Sequence, residues 1–151
     1  MKKLLILFVF VFAAINMNAQ NTITNGKLYR NHHLFTGADT VYYSNDKSVK
    51  SICYYKKGLK DGIELYYHEN GQKKAERAWD KGLKDGLWIN YDENGHKTAE
   101  APYTKNEKHG AWFIWSSKGL KLYEMHYYKG NKTGKWLQWN EEGELIMEKI
   151  F

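Results

Sequence analysis

The chain has 151 residues and a formal charge of +6, is 42% apolar and 16% aromatic, and has a mean hydropathy of −0.72. A surplus of Tyr and Trp over aliphatic side chains argues against a large oily interior and for an extended, thin structure. The basic residues are scattered through turns (Lys56-Lys57, Lys60, Lys81, Lys84, Lys105) with no Arg-rich patch; this pattern suggests a solvated rim, argues against nucleic acid as a partner, and leaves room only for weak attraction to anionic lipid.

Residues 1–19 have the form of an export signal. Lys2 and Lys3 precede an apolar run from Leu4 to Ile15, and Asn18-Ala19-Gln20 places the expected cleavage after Ala19. The run is shorter than the roughly 20 helical residues that cross a bilayer. Met17 is larger than the usual residue at its place, so an uncleaved anchor is the rival reading; no cysteine ends the segment, which argues against a bacterial lipoprotein. The mature chain is therefore expected in the periplasm, in the cell envelope or outside the cell. Cys53 is the only cysteine, so no disulfide framework is expected, and a small buried thiol is its commoner fate.

Residues 20–37 form a lead-in. Asn25-Gly26 is a turn signal, Lys27 to Arg30 can pair as a strand, and Leu34-Phe35-Thr36-Gly37 leads into the first copy of a repeat. His32-His33 has no third ligand at metal spacing and is assigned to a solvated loop.

From residue 38 the chain repeats with a period of 24, in copies 38–57, 58–81, 82–105, 106–129 and 130–151. Within 82–105, the alternating runs Leu87 to Asp92 and His96 to Tyr103 flank Glu93-Asn94-Gly95, the pattern of a hairpin with a three-residue turn. Gly71, Gly95, Gly119 and Gly143 end this turn in successive copies; the first copy has Ser44-Asn45-Asp46-Lys47 instead. A second turn carries Gly58, Gly82 and Gly130, with Asn106 standing in once, and is followed by Gly62, Gly86, Gly110 and Gly134. Asn tolerates positive φ best among the other residues, so a backbone requirement explains the column. Pro102 is expected where no ladder N–H is needed, at a strand end or an edge.

The fold expected is all-β: an elongated antiparallel meander of about ten strands, stacked because a lone hairpin is marginal in water. Its last strand, Leu145 to Ile150, is an exposed edge. If the turn sets the register, Asp92 pairs with His96 and Ile89 with Ala99. The apolar pairs Val41/Tyr43, Leu65/Tyr67, Ile89/Tyr91, Phe113/Trp115 and Leu137/Trp139 then share a packed face with Tyr55, Trp79, Tyr103, Tyr127 and Phe151. Trp88, Trp112 and Trp136 fall on the other face with Tyr42 and Tyr66, and with Glu76, Glu100, Glu124 and Glu148 across from them.

Gly86, Trp88, Tyr91, Asn94, Gly95 and Glu100, the clearest copy of a Gly-x-Trp-x-x-Tyr core followed by Asn-Gly and Glu, resemble the bacterial variant of the MORN repeat. The chain is also similar to YwqK-family antitoxins of toxin–antitoxin systems. The likeness covers roughly residues 34–151. It implies β-hairpin arrays used for membrane association, protein contact or assembly, with no catalytic residues and no cofactor. An export signal fits an antitoxin of a cytoplasmic toxin poorly.

An enzyme is not expected, because glutamates that recur every 24 residues behave as scaffold, and no nucleophile, zinc or phosphate-loop motif is present. Two binding readings remain. A non-catalytic envelope module would offer a sheet face or edge to a protein or to the membrane surface. Alternatively, Trp88, Trp112, Trp136, Tyr42 and Tyr66 form an aromatic row that stacks on glycans or clasps choline-type groups, against which stands the option that these rings hold neighbouring strands together.

Overall fold

The computed structural model describes residues 20–44 and 47–151. The expected export signal and residues Asn45-Asp46 of the first hairpin turn lie outside them. The lead-in holds β1 (Asn21–Thr24), β2 (Lys27–Arg30) and β3 (His33–Leu34). The repeats hold β4 (Gly37–Tyr42), β5 (Val49–Lys56), β6 (Leu59–Lys60), β7 (Gly62–Tyr67), β8 (Lys73–Asp80), β9 (Leu83–Tyr91), β10 (Lys97–Thr104), β11 (Glu107–Lys108), β12 (Gly110–Trp115), β13 (Lys121–Tyr128), β14 (Asn131–Trp139) and β15 (Leu145–Ile150). In space the order is β4-β5-β7-β8-β9-β10-β12-β13-β14-β15, with the short β6 on β5 and β11 on β10. All pairings are antiparallel, so the repeats make the expected meander.

Both turns follow from their residues. In the three-residue turns the chain closes with bonds such as Asp92 N–H to His96 carbonyl at 2.9 Å, and Gly95 takes φ 86°. The second turn has two central residues, both left-handed: Lys81 and Gly82 at φ 47° and 85°, Lys105 and Asn106 at 48° and 71°. That is the type I′ geometry whose twist matches the flanking strands. A lysine in the left-handed region at the head of each turn was not foreseen.

The register departs from the expectation, and the departure exchanges the faces. Tyr91 pairs with Lys97, but Asn90 then pairs with Ala99 and Ile89 with Glu100, because a β-bulge takes up one residue at Thr98. The other hairpins shift at the same place. Such a bulge turns over every side chain beyond it. Ile89 therefore faces Glu100 rather than Ala99, and the Tyr55, Trp79, Tyr103, Tyr127, Phe151 column lies on the face of Trp88, Trp112 and Trp136. The glutamates lie on the opposite face with Leu65, Ile89, Phe113 and Leu137.

A second shift is confined to the first copy. Its turn is one residue longer, Tyr43 N–H closing on the Ser48 carbonyl where His68 closes on Gln72. The strand ahead slips by one, so Asp39, opposite Cys53, holds the place that Glu64 and the tryptophans hold later. Tyr42, half-exposed and opposite Val49, leaves the row of Tyr66, which pairs with Ser51 and Ala75.

Pro102 sits inside an interior strand, not at an end or edge. Its carbonyl faces the corner between β11 and β12, where the ladder is interrupted, so no N–H is missed there. The lead-in is more than a leader: its three strands form a separate small sheet, and Leu28 and Phe35 exchange backbone hydrogen bonds with Gly58 at 2.8 and 2.7 Å. Leu28 is buried, as are Cys53, Ala75, Ala78 and Tyr127. A single twisted layer can enclose little else, so lateral packing of half-buried rings must supply most of the stability.

Candidate functional site

The face that carries Trp88, Trp112 and Trp136 is built on one motif, Lys-x-Gly-x-Trp, as in Lys84, Gly86 and Trp88. Gly86 opposes Tyr103 directly, and a Cβ there would stand 2.9 Å from the Cβ of Ala78 on the neighbouring strand, so the corner needs glycine. Repetition produces a continuous ladder. Trp79, Trp88, Tyr103, Trp112, Tyr127, Trp136 and Phe151 touch in that order, with centroids 5.2, 5.2, 5.1, 5.2, 5.1 and 4.8 Å apart. Interplanar angles of 53° to 62° tilt each ring against the next, and Tyr103 meets Trp112 edge to face.

The indole nitrogens have a structural task. Trp88, Trp112 and Trp136 each donate to the carbonyl ten residues earlier, those of Ala78, Pro102 and His126, at 3.1, 3.1 and 3.0 Å. These carbonyls stand at the corners where the ladder slips. The tryptophans are half-buried.

Lysines cover the rings. Lys84 Nζ lies 4.5 Å from the Trp88 centroid and 5.0 Å from that of Tyr103. Lys108 lies 4.4 and 4.7 Å from Trp112 and Tyr127, and Lys132 4.6 and 4.9 Å from Trp136 and Phe151. Lys60 and Lys84 are thus not rim residues, as their spacing suggested, but members of a row laid along the aromatic face. Their butyl stems shelter the rings while each ammonium stays near water.

The opposite face treats charge differently. Lys73, Lys97, Lys121 and Lys135 pair with Glu76, Glu100, Glu124 and Glu148 at 2.7, 2.6, 2.8 and 2.8 Å. Lys73 holds the Glu76 carboxyl below its ordinary value of 4.5, and Lys121 does the same for Glu124. A depressed carboxylate stabilises the fold above its unfolded value and loses that contribution as the pH falls through the folded one. The melting temperature should therefore fall as acid is added below about pH 4.5. A Glu76→Gln/Glu124→Gln double variant should melt lower at neutral pH and converge with the parent in acid; parallel curves would contradict this linkage.

The ladder is interrupted in the second copy, where Glu64 stands for tryptophan. Only 5% exposed, Glu64 accepts from Lys60 Nζ at 2.6 Å, Tyr66 Oη at 2.9 Å and Trp79 Nε1 at 2.9 Å. Burial, and then Glu64, push the Cys53 thiol up to about 11, so it stays protonated and unreactive near neutral pH. Burial followed by the Glu64 hydrogen bond pushes Tyr66 up to about 12. Removing this carboxylate in Glu64→Ala leaves three donors unmatched and should cost about 2 kcal/mol. Glu64→Gln, which keeps one acceptor oxygen, should lose about half of that in urea unfolding.

A carboxylate is shorter than an indole, and the space left over opens a hollow of about 650 Å³ beside Glu64. It is bounded by Tyr43, Lys50, Lys60, Tyr66, Lys74, Arg77, Trp79, Trp88 and Asn90. Arg77 lies over Trp88, its guanidinium 4.9 Å from the ring, and donates to the Ile89 carbonyl and to Asn90 Oδ1. Burial pulls Arg77 below its ordinary value.

Of the aromatic row read from the sequence, the structure brings Trp88, Trp112, Trp136 and Tyr66 onto one face and sends Tyr42 to the other. Gly62, Gly86, Gly110 and Gly134 take φ of 102°, 101°, 88° and 61°, and Gly71, Gly95, Gly119 and Gly143 take 85°, 86°, 79° and 84°. His32 and His33 lie in and beside an exposed turn of the lead-in. Sequence reasoning missed Lys84, Lys108 and Lys132 as a row, although their 24-residue spacing was visible. It also missed Arg77, which only the true register places beside Glu64.

A family model described as the MORN repeat variant matches residues 60–80 and 84–105. These are the two copies that contain Glu64 and Trp88. Repeats of this kind serve generally as protein- or membrane-interaction modules and are not enzymes. No curated protein matches the chain.

Proposed function

We propose that the chain is an exported, non-catalytic module of the cell envelope whose ladder face docks on an anionic membrane surface. One observation carries the reading: Lys60 apart, which Glu64 neutralises, the two faces divide their lysines by pairing. Lys73, Lys97, Lys121 and Lys135 are neutralised by glutamates on one face. Lys84, Lys108 and Lys132 on the other have no carboxylate partner among the described residues and are held in line by the rings beneath them. Neighbouring strands are about 4.8 Å apart, so two strands per copy set these ammoniums roughly 10 Å from one another. A row of fixed cations at that pitch favours a surface of repeated phosphates over a single small anion.

Each such lysine contributes about 1 kcal/mol near an anionic bilayer. Purified protein should co-sediment with phosphatidylcholine vesicles containing phosphatidylglycerol, release as salt rises, and ignore pure phosphatidylcholine. The Lys84→Gln/Lys108→Gln/Lys132→Gln variant should bind about 100-fold more weakly. Equal sedimentation of both proteins would refute the membrane reading.

A protein partner is the second reading. It is supported by β15, which is exposed along its whole length and offers an open edge for strand addition. Retention on an envelope protein, indifferent to lipid composition, would favour it. A choline-type ligand on the ladder would have to displace the lysines from the ring faces, and this weakens that alternative.

A further inference from the structure

We infer that the hollow beside Glu64 is a binding site for an anionic sugar unit, one that carries a carboxylate or a phosphate. The repeat is broken at this hollow. A scaffold needs the same residues in each copy, yet three positions depart together in this one. Glu64 replaces the tryptophan found at 88, 112 and 136. Tyr66 replaces Asn90, Ile114 and Gln138, and Arg77 replaces Ala101 and Met125, the last copy carrying Lys149 in that column. Packing does not demand these changes, since the later copies close the same space with an indole. All three converge on one hollow large enough for a sugar or two.

The chemistry of the walls selects the ligand. Tyr66 offers ring surface against which the C–H face of a pyranose packs, Trp79 and Trp88 wall the hollow beneath Lys60, Arg77 and Lys84, and Asn90 and Glu64 offer groups for hydroxyls. Charge decides the rest. Four cations line the hollow against one acid, Glu64, and that acid is already satisfied by Lys60, Tyr66 and Trp79. Arg77 is engaged with backbone carbonyls and Asn90. Lys50 and Lys74 are exposed and have no carboxylate partner among the described residues, so they remain for an anionic substituent. The excess of positive charge disfavours a quaternary ammonium ligand at this place.

Lys60 belongs to both the row and the hollow, but the tested lysines are separable: Lys50 and Lys74 line the hollow, while Lys84, Lys108 and Lys132 do not. The test uses residues 20–151, which contain both sheets. Intrinsic Trp fluorescence would be titrated with a galacturonic acid trisaccharide, with glucose 6-phosphate, and with neutral maltotriose. A saturable change is expected with at least one acidic probe, and the arm that responds identifies carboxylate or phosphate as the preferred substituent. Maltotriose should bind at least about tenfold more weakly, as should the acidic probe to Lys50→Gln/Lys74→Gln. Those substitutions are on exposed side chains and should leave the melting temperature unchanged. The Lys84→Gln/Lys108→Gln/Lys132→Gln variant should keep the sugar while losing vesicles, so failure of one idea does not mask the other. Three results would each overturn the inference: no saturable change up to about 10 mM of either acidic probe, equal affinity for maltotriose, or undiminished binding by the Lys50/Lys74 variant.

Discussion

Replacing Trp112 with alanine is expected to cost about 4 kcal/mol and to split one unfolding transition into two. The residue has a neighbour on both sides, Tyr103 at 5.1 Å and Tyr127 at 5.2 Å, and a lysine above it at 4.4 Å. Its indole N–H also holds the Pro102 carbonyl at a corner where the sheet ladder is interrupted. In a layer with so few enclosed side chains, each ring is buried chiefly by the next ring. Removing a middle one exposes two others as well as leaving its own space. Stability in such an array is close to a sum over copies and the contacts between them, so a break in the middle uncouples the halves. Trp136 has Phe151 as its last neighbour, itself 41% exposed, and Trp136→Ala should cost about half as much. Urea unfolding followed by near-ultraviolet circular dichroism measures both. Equal costs, with a single transition in each, would mean that the ladder does not transmit stability along the sheet.

Much of this architecture was legible because it rests on backbone demands that repeat. Asn-Gly turns, a glycine column with one asparagine substitute and alternating runs of six to eight residues leave little choice but hairpins. The register was not legible. A bulge at Thr98 costs one unpaired residue and has no sequence signature of its own, yet it decides which face Tyr103 and Glu100 occupy. Once Tyr103 is moved across, the two aromatic columns fuse and the glutamates find Lys73, Lys97 and Lys121 beside them. In the first copy one extra turn residue had the same leverage, taking Tyr42 away from Tyr66.

The candidate site was legible only in part for a related reason. Trp88, Trp112 and Trp136 are conspicuous by type and period, but a lysine every 24 residues resembles any solvated rim until its ring is located. Glu64 could be seen as a departure from the tryptophan column. Its meaning depends on Arg77 and Tyr66 sharing its face, and that again depends on the bulge.

The glycine column supplies the second large effect. Gly86→Val is expected to destabilise the protein by about 4 kcal/mol, from two separable causes. Gly86 has φ 101°, which side-chain-bearing residues rarely adopt and a β-branched one resists most. A Cβ placed there would also stand 2.9 Å from the Ala78 Cβ, a backbone-anchored atom that cannot swing aside. Conformational strain contributes about 1–3 kcal/mol and the overlap a similar amount. Ala78→Gly made together with Gly86→Val relieves the overlap and leaves the strain, so the cycle should show a coupling of about 1–2 kcal/mol. Gly110→Val meets Pro102 Cγ at 3.2 Å at φ 88° and should be nearly as damaging. Glu100→Gln removes one partly exposed ion pair with Lys97 and should stay within about 1 kcal/mol of the parent. If all three single variants melted together, neither positive φ nor the close approach of Ala78 and Pro102 would be holding these corners.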